Sequence, residues 1–478
     1  MAWLPVFGAV AAVVGLLVAV VGRYDYHRDE LYFRILEPAW GYVDQPPLTP
    51  LLARVSVALF GDTLTAVRVP AILAAAAVVV VVALLVREFG GRAGAQAMGA
   101  WGVGFAMAPL SSGHVLLTAS VDVVVWLVVV LFAVKAVVRE QPRWWLAVGV
   151  AVGIGFYNKY LVVLLLVGIA VAMLVTGPRG PLRSGWLWAG VGLAVVIAAP
   201  NLVYQLANGW PQLEMAGGIA EEKGPQQRLL LLPLQAVFLS PLALPVVVAG
   251  FAALVRAPRL RPFAVSYLVV LAIVLATGGF AVYTAPLLIV LFAAGCAPVV
   301  AWAGSRARRV LVGVLAVAHA AFGVVVGLPV LPIDVLRDTP VPAVSQSLRD
   351  QVGWPAYVEQ IREVHRSLPE AERANTVLLT ANYAEAGALD KYGADLPAVH
   401  SGHNELHSYG PPPDTATTVI IIGMDAPEIR SLFVQCDLAG QLDHGLGIDN
   451  EEQGRPILVC RQPQVPFSAV WEHWRHLD

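Results

Sequence analysis

Charge is what this 478-residue chain has least of: 13% of its residues are Asp, Glu, Lys or Arg, against 58% hydrophobic. So little charge cannot solvate the surface of an ordinary water-soluble protein of this length, and a multi-spanning membrane protein is the class that remains. Lysine is scarcer still, with Lys135, Lys159, Lys223 and Lys391 the only four. A formal net charge of −2 gives no case for a nucleic-acid partner. Three cysteines are too few for a disulfide-rich framework, and the spacing of Cys436 and Cys460 leaves open whether those two pair. The N-terminus lacks a basic stretch and a clear small-residue cleavage site, so Leu4–Val21 reads as a retained helix rather than a signal peptide. Internal repeats and low-complexity tails are absent as well.

What is present is a series of apolar runs close to the roughly 20 residues needed to cross a bilayer. They are Leu4–Val21, Ala66–Val86, Ala93–Leu110, Ser120–Val138, Trp144–Phe156, Leu161–Val175, Trp186–Ala199, Leu229–Val255, Phe263–Ala276, Tyr283–Trp302 and Val310–Leu328, about eleven spans. Alternate loops carry Arg87 and Arg92, Arg139 and Arg143, Arg179 and Arg183, Arg256, Arg259 and Arg261, and Arg306, Arg308 and Arg309. These arginines face only Glu88 and Glu140, so the positive-inside rule places them in the cytoplasm and everything between them outside. After Leu328 the composition becomes that of a soluble domain. Thr376–Thr380, Thr418–Gly423 and Pro456–Cys460 read as strands, and Pro355–Ser367, Tyr383–Lys391 and Ala426–Gln435 as helices. The expected division is a membrane domain over 1–332, with a first outward loop over 22–65, and an extracytoplasmic α/β domain over 333–478.

The charge that the chain does carry is concentrated in that first loop. Asp25, Asp29, Glu30, Glu37 and Asp44 lie within Arg23–Pro50, interleaved with His27, Arg28, Arg34 and the aromatics Tyr24, Tyr26, Tyr32, Trp40 and Tyr42. Such charge is costly in hydrocarbon and must lie at the membrane boundary. A plain solvated connector with an interfacial aromatic belt is the simplest reading. Against it stands the pair Asp29–Glu30 so close to the membrane exit, followed by Pro46-Pro47 and a short amphipathic segment, Leu48–Phe60, suited to lie on the membrane. A second acid, Asp122, enters a span at its outward end, where an ionisable residue is functional or else a helix-dipole or ion-pair partner. The topology puts it on the same membrane face as Asp29 and Glu30. Carboxylates converging there can deprotonate a hydroxyl or hold a divalent cation, with Asp29 and Asp122 as its ligands. His400, His403, Glu405 and His407 have metal-like spacing, but the Tyr-Gly-Pro-Pro-Pro that follows marks a loop.

DELYF after the first span, GYVDQPPL, the outward Asp122 and YNKY after the fifth span resemble the GT-C glycosyltransferases. The branch is that of the bacterial protein mannosyltransferases and lipid A aminoarabinose transferases, glycosyltransferase family 39. ANYAEAGALDKYG, SGHNELHSYGPPP and NEEQGRPILVC extend the resemblance to an actinobacterial subgroup. It implies a GT-C fold and transfer of a sugar from a polyprenyl-phosphate carrier to a lipid, glycan or protein acceptor outside a bacterial plasma membrane. Asp29 matches the catalytic base, and Glu30 and Asp122 the other acidic positions. Adjacent residues on a helix diverge by about 100°, so one of Asp29 and Glu30 is expected to face the acceptor and the other to orient the loop. Gln45 stands where the aminoarabinose transferases have a lysine for the carrier phosphate. That leaves Arg28, Arg54 or Lys159 to neutralise it, Lys159 first, although a snorkelling interface lysine explains Lys159 equally well. Tyr26 and Gln45 complete the substrate-binding candidates, with Trp210 in the Asn201–Arg228 loop able to stack on a sugar.

Two other classes compete. A transporter or lipid flippase would place ionisable residues at the bilayer midplane, whereas here the spans are nearly free of charge and the acids collect at the outer rim. A non-catalytic scaffold using its outer domain for binding leaves the acidic pair without a reason.

Overall fold

The computed structural model describes residues 1–477. Sixteen helices lead up to Gly327: α1 (Trp3–Val20), α2 (Arg28–Ile35), α3 (Leu48–Phe60), α4 (Leu64–Glu88), α5 (Ala93–Gly104), α6 (Met107–His114), α7 (Thr118–Val138), α8 (Trp144–Gly155), α9 (Val162–Thr176), α10 (Gly185–Ala207), α11 (Pro211–Glu222), α12 (Gly224–Leu239), α13 (Leu244–Arg256), α14 (Arg261–Thr277), α15 (Ala285–Trp302) and α16 (Arg306–Gly327). All eleven apolar runs are helical, but six helices among the described residues are individually long and apolar enough to cross a membrane. The run over 93–110 is divided between α5 and α6, and that over 229–255 bends by 79° between α12 and α13. Pro241 follows the second break directly. It offers no N–H to the ladder and disfavours helical geometry at the preceding residue, and Ser240 there has left it, with φ of 126°. Mean hydropathy records composition and is blind to such interruptions. The bundle packs through small residues: a Cβ on Gly250 of α13 would collide with the Leu291 carbonyl of α15, so only glycine allows these backbones to approach.

The C-terminal region is a five-stranded mixed sheet of order β2-β1-β3-β5-β4, built from β1 (Thr376–Thr380), β2 (Val399–Ser401), β3 (Thr418–Ile422), β4 (Phe433–Gln441) and β5 (Pro456–Pro463). β1 pairs in parallel with β2 and β3, while β5 runs antiparallel to both β3 and β4. Every residue of β1 and β3 is buried, as expected of strands covered on both faces. The helix Trp354–Ser367 and the helix Tyr383–Tyr392 lie where the amphipathic pattern puts them. The helix expected over Ala426–Gln435 is a correction: only Pro427–Arg430 is helical, and Phe433 opens β4. Pairing with β5 outweighs the local pattern there. Cys436 and Cys460 are cross-strand partners in that pairing and form a disulfide.

This region does not stand apart from the first loop. Leu31, Tyr32, Phe33 and Leu36 of the loop share one apolar core with Trp354, Tyr357, Ala384 and Leu389. Gly387 permits the contact, since a Cβ there would meet the Leu31 carbonyl at 2.7 Å.

Candidate active site

α2 is built to present Asp29. His27 caps it: the Asp29 N–H donates to His27 Nδ1 at 3.2 Å, and the His27 N–H returns to Glu30 Oε2 at 2.8 Å. Glu30 then turns away from Asp29 into the protein. Arg68 of α4 donates to it from Nε and Nη2, each at 3.0 Å to a separate oxygen, and the Leu116 N–H donates at 2.9 Å. Both side chains are fully buried. Arg68 also donates to the carbonyls of Val21 and Asp25 and to Gln351, so one ion pair joins the end of α1, the start of α2 and the chain beyond α16.

Asp29 lies on the other face of α2 and lines a cavity of about 1070 Å³. Arg28, Asp44, Arg349 and Asp350 bring charge to its lining, while α11 and α12 bring the apolar Ile219, Leu230, Leu234 and Val237 together with the polar Gln212, Gln226 and Gln227. Lys159 lines the same cavity, its ammonium 5.0 Å from the centre of the Tyr283 ring. Its neighbour Asn158 explains its direction. Thr49 donates to Asn158 Oδ1 at 2.7 Å and Asn158 Nδ2 donates to the Thr118 carbonyl at 2.9 Å, pinning the turn between α8 and α9 to the starts of α3 and α7.

Of the nine residues singled out from sequence, Arg28, Asp29, Gln45 and Lys159 line this cavity. Glu30 is occupied by Arg68. Asp122 is buried within the first turns of α7 and does not reach the cavity wall, though the Lys159 charge acts on it. Arg54 donates to the Leu36 carbonyl, and the Tyr26 ring is flanked by Arg34 and Lys391. Trp210 takes a left-handed backbone conformation just before α11, outside the cavity. No group of three or more His, Cys, Asp or Glu side chains among the described residues is arranged to hold a metal ion, and Asp29 and Asp122 do not share the cavity wall. His403 instead stacks between Tyr383 and His476.

Sequence reasoning missed Tyr383, Arg349, Asp350 and Glu451, all of which line the cavity. Tyr383 donates to Asp29 Oδ1 at 3.0 Å. The capping Asn382 marks the start of its helix in the sequence, but nothing local says what that first turn meets. Burial pushes the Asp44 carboxyl up to about 7, aided by the nearby Glu405 and Asp29 carboxylates and opposed by the hydrogen bond from the Tyr32 hydroxyl at 3.0 Å. Burial likewise raises Asp350, against the pull of His27 and Arg28. Burial works against the Arg28 charge, yet acids around it, among them Glu452, Asp350 and Asp29, hold its pKa above the usual arginine value. Arg28 pairs directly with Glu451.

The helical bundle with broken spans, whose cavity is lined both by Asp29 of the first loop and by residues of the C-terminal α/β region, has the GT-C fold by its likeness to solved structures. Residues 44–204 match the family model for dolichyl-phosphate-mannose-protein mannosyltransferase. Over nearly its whole length the chain is similar to ArnT from Cupriavidus metallidurans. In the crystal structure bound to undecaprenyl phosphate the TM-score is 0.58 at 15% identity, covering 95% of this chain and 97% of that one. In the apo state the score is 0.59 at 16% identity, with the same coverage. The arabinofuranosyltransferase AftD from Mycobacteria is similar as well, with a TM-score of 0.53 and 11% identity over 96% of this chain and 40% of that one. No curated protein matches.

Proposed function

We propose that this protein is a membrane glycosyltransferase that moves a sugar from a polyprenyl-phosphate carrier to an acceptor hydroxyl at the outer face of a bacterial plasma membrane. The observation that carries the reading is that Asp29 and Lys159 share one cavity with the apolar residues Ile219, Leu230, Leu234 and Val237 of α11 and α12. A carrier of this kind needs all three: a base, a cation for its phosphate and an apolar surface for its prenyl chain. The arginines of the alternate loops support an orientation with the N-terminus and those loops inside and residues 333–478 outside.

In the reaction, Asp29 takes the proton of the acceptor hydroxyl as its oxygen attacks the anomeric carbon. The bond from that carbon to the phosphate oxygen breaks, and the carrier phosphate leaves with the electron pair. Lys159 and Arg28 stabilise the charge that develops on it. A single displacement inverts the anomeric centre. Asp122 acts through Lys159, whose charge reaches it, and Glu30 acts by fixing α2.

The test uses membranes from cells expressing the full chain, incubated with undecaprenyl-phosphate-linked radiolabelled mannose, glucose, galactose and arabinose. One label is expected to leave the lipid fraction. Asp29→Asn should lower that transfer by about 10²–10⁴-fold with the protein still inserted, as loss of a general base does. Transfer by Asp29→Asn at the unaltered rate would sink the assignment.

A further inference from the structure

Resting on Asp29 as the base, we propose that Tyr383 is the positioning residue for its carboxylate, so that the C-terminal α/β region completes the active site. The two residues are 354 positions apart, and the Tyr383 hydroxyl donates to Asp29 Oδ1 at 3.0 Å. That bond holds one carboxylate oxygen and leaves Oδ2 for the acceptor proton. Tyr383 keeps its own proton throughout: burial, more than any other influence, pushes its hydroxyl well above the ordinary tyrosine value. It steers the base without exchanging protons with it.

The phenol is held in place before any substrate arrives. Its ring is stacked between Tyr32 of α2 at 4.6 Å and His403 at 5.1 Å, with the Arg28 guanidinium 5.2 Å away. The Tyr383 N–H donates to His403 Nδ1 at 3.1 Å, and the Asn382 side chain accepts from the next two backbone N–H groups, at 2.9 and 3.0 Å. A donor fixed in this way needs no reorganisation when charge moves on Asp29. Tyr32 does for Asp44 what Tyr383 does for Asp29, donating at 3.0 Å. The stacked pair therefore sets two cavity acids at once. The charged or titratable groups acting around Asp29 are His27 and Arg28 beside it in the chain, Asp44 across the loop, Asp350 beyond α16 and Tyr383 itself.

Tyr383→Phe keeps the ring and the stack and deletes only the hydroxyl. The full chain in detergent is assayed with whichever undecaprenyl-phosphate-linked sugar is transferred, over a range of pH. The expected result is a kcat lowered about 10- to 100-fold, as for loss of a hydrogen bond to a charged group, with the donor KM and the melting midpoint unchanged. The acidic limb of the pH–rate profile should also move to higher pH, since the carboxylate has lost a donor. A wild-type rate and profile in Tyr383→Phe, with Asp29→Asn inactive, overturns the proposal and leaves the base in place. A rate loss that tracks a lowered melting midpoint, with no shift of the limb, overturns it in favour of a packing role. Activity in Asp29→Asn overturns the base itself and this proposal with it.

Discussion

Glu30→Gln separates the two halves of the acidic pair. In the folded protein Glu30 accepts from Arg68 at both oxygens and from the His27 and Leu116 N–H groups, and neither Glu30 nor Arg68 touches solvent. A glutamine has one acceptor oxygen, so it leaves the buried Arg68 charge without its counter-charge and at least one backbone donor without a partner. Removing one partner of a buried pair costs about 3–5 kcal/mol. Asp29 is half-buried and keeps a single hydrogen bond, from Tyr383, so Asp29→Asn should cost no more than about 1 kcal/mol. Thermal unfolding of the detergent-solubilised chain, followed by tryptophan fluorescence, should show Glu30→Gln strongly lowered and Asp29→Asn close to wild type. A cycle with Arg68→Gln sharpens the test, because the second change should cost much less when Glu30 is already Gln. If Glu30→Gln melts like the wild type yet transfers no sugar, Glu30 takes part in the chemistry and its structural role here is wrong.

Lys159→Ala should raise the donor KM about 10- to 100-fold with a smaller loss in kcat, measured with the transferred lipid-linked sugar; an unchanged KM would mean that another cavity cation meets the phosphate. Folding favours the protonated form of Asp44, so the stability it contributes is full below the ordinary carboxylate range and is lost as pH rises through about 7. The melting midpoint should therefore fall between about pH 4 and about pH 7, and Asp44→Asn should flatten that fall in part, since Asp350, Glu405 and Glu385 slope the same way. An identical fall in both proteins would show that Asp44 does not titrate there.

Much of this protein can be read from its residues alone because a bilayer punishes alternatives so heavily. Charge scarcity forces a helical bundle, and the acids left over mark the first loop. Strands as apolar as β1 and β3 announce themselves for a different reason, because a strand covered on both faces is apolar along its whole length. β4 does not, because its exposed, mixed residues become a strand only through pairing with β5. The divergence of adjacent side chains on a helix was enough to separate the directions of Asp29 and Glu30. Which of them faced the cavity depended on Arg68, 38 residues further along the chain from Glu30. The residues that surround Asp29 were out of reach for the same reason. Tyr383, Arg349 and Asp350 come from beyond the last span, and no local pattern records that the helix Tyr383–Tyr392 packs on α2 through Gly387. Composition and periodicity report the solvent a segment prefers, and that determined the membrane class and the acidic loop. A hydrogen bond across 354 residues depends on how the two regions dock, and only the tertiary structure decided that.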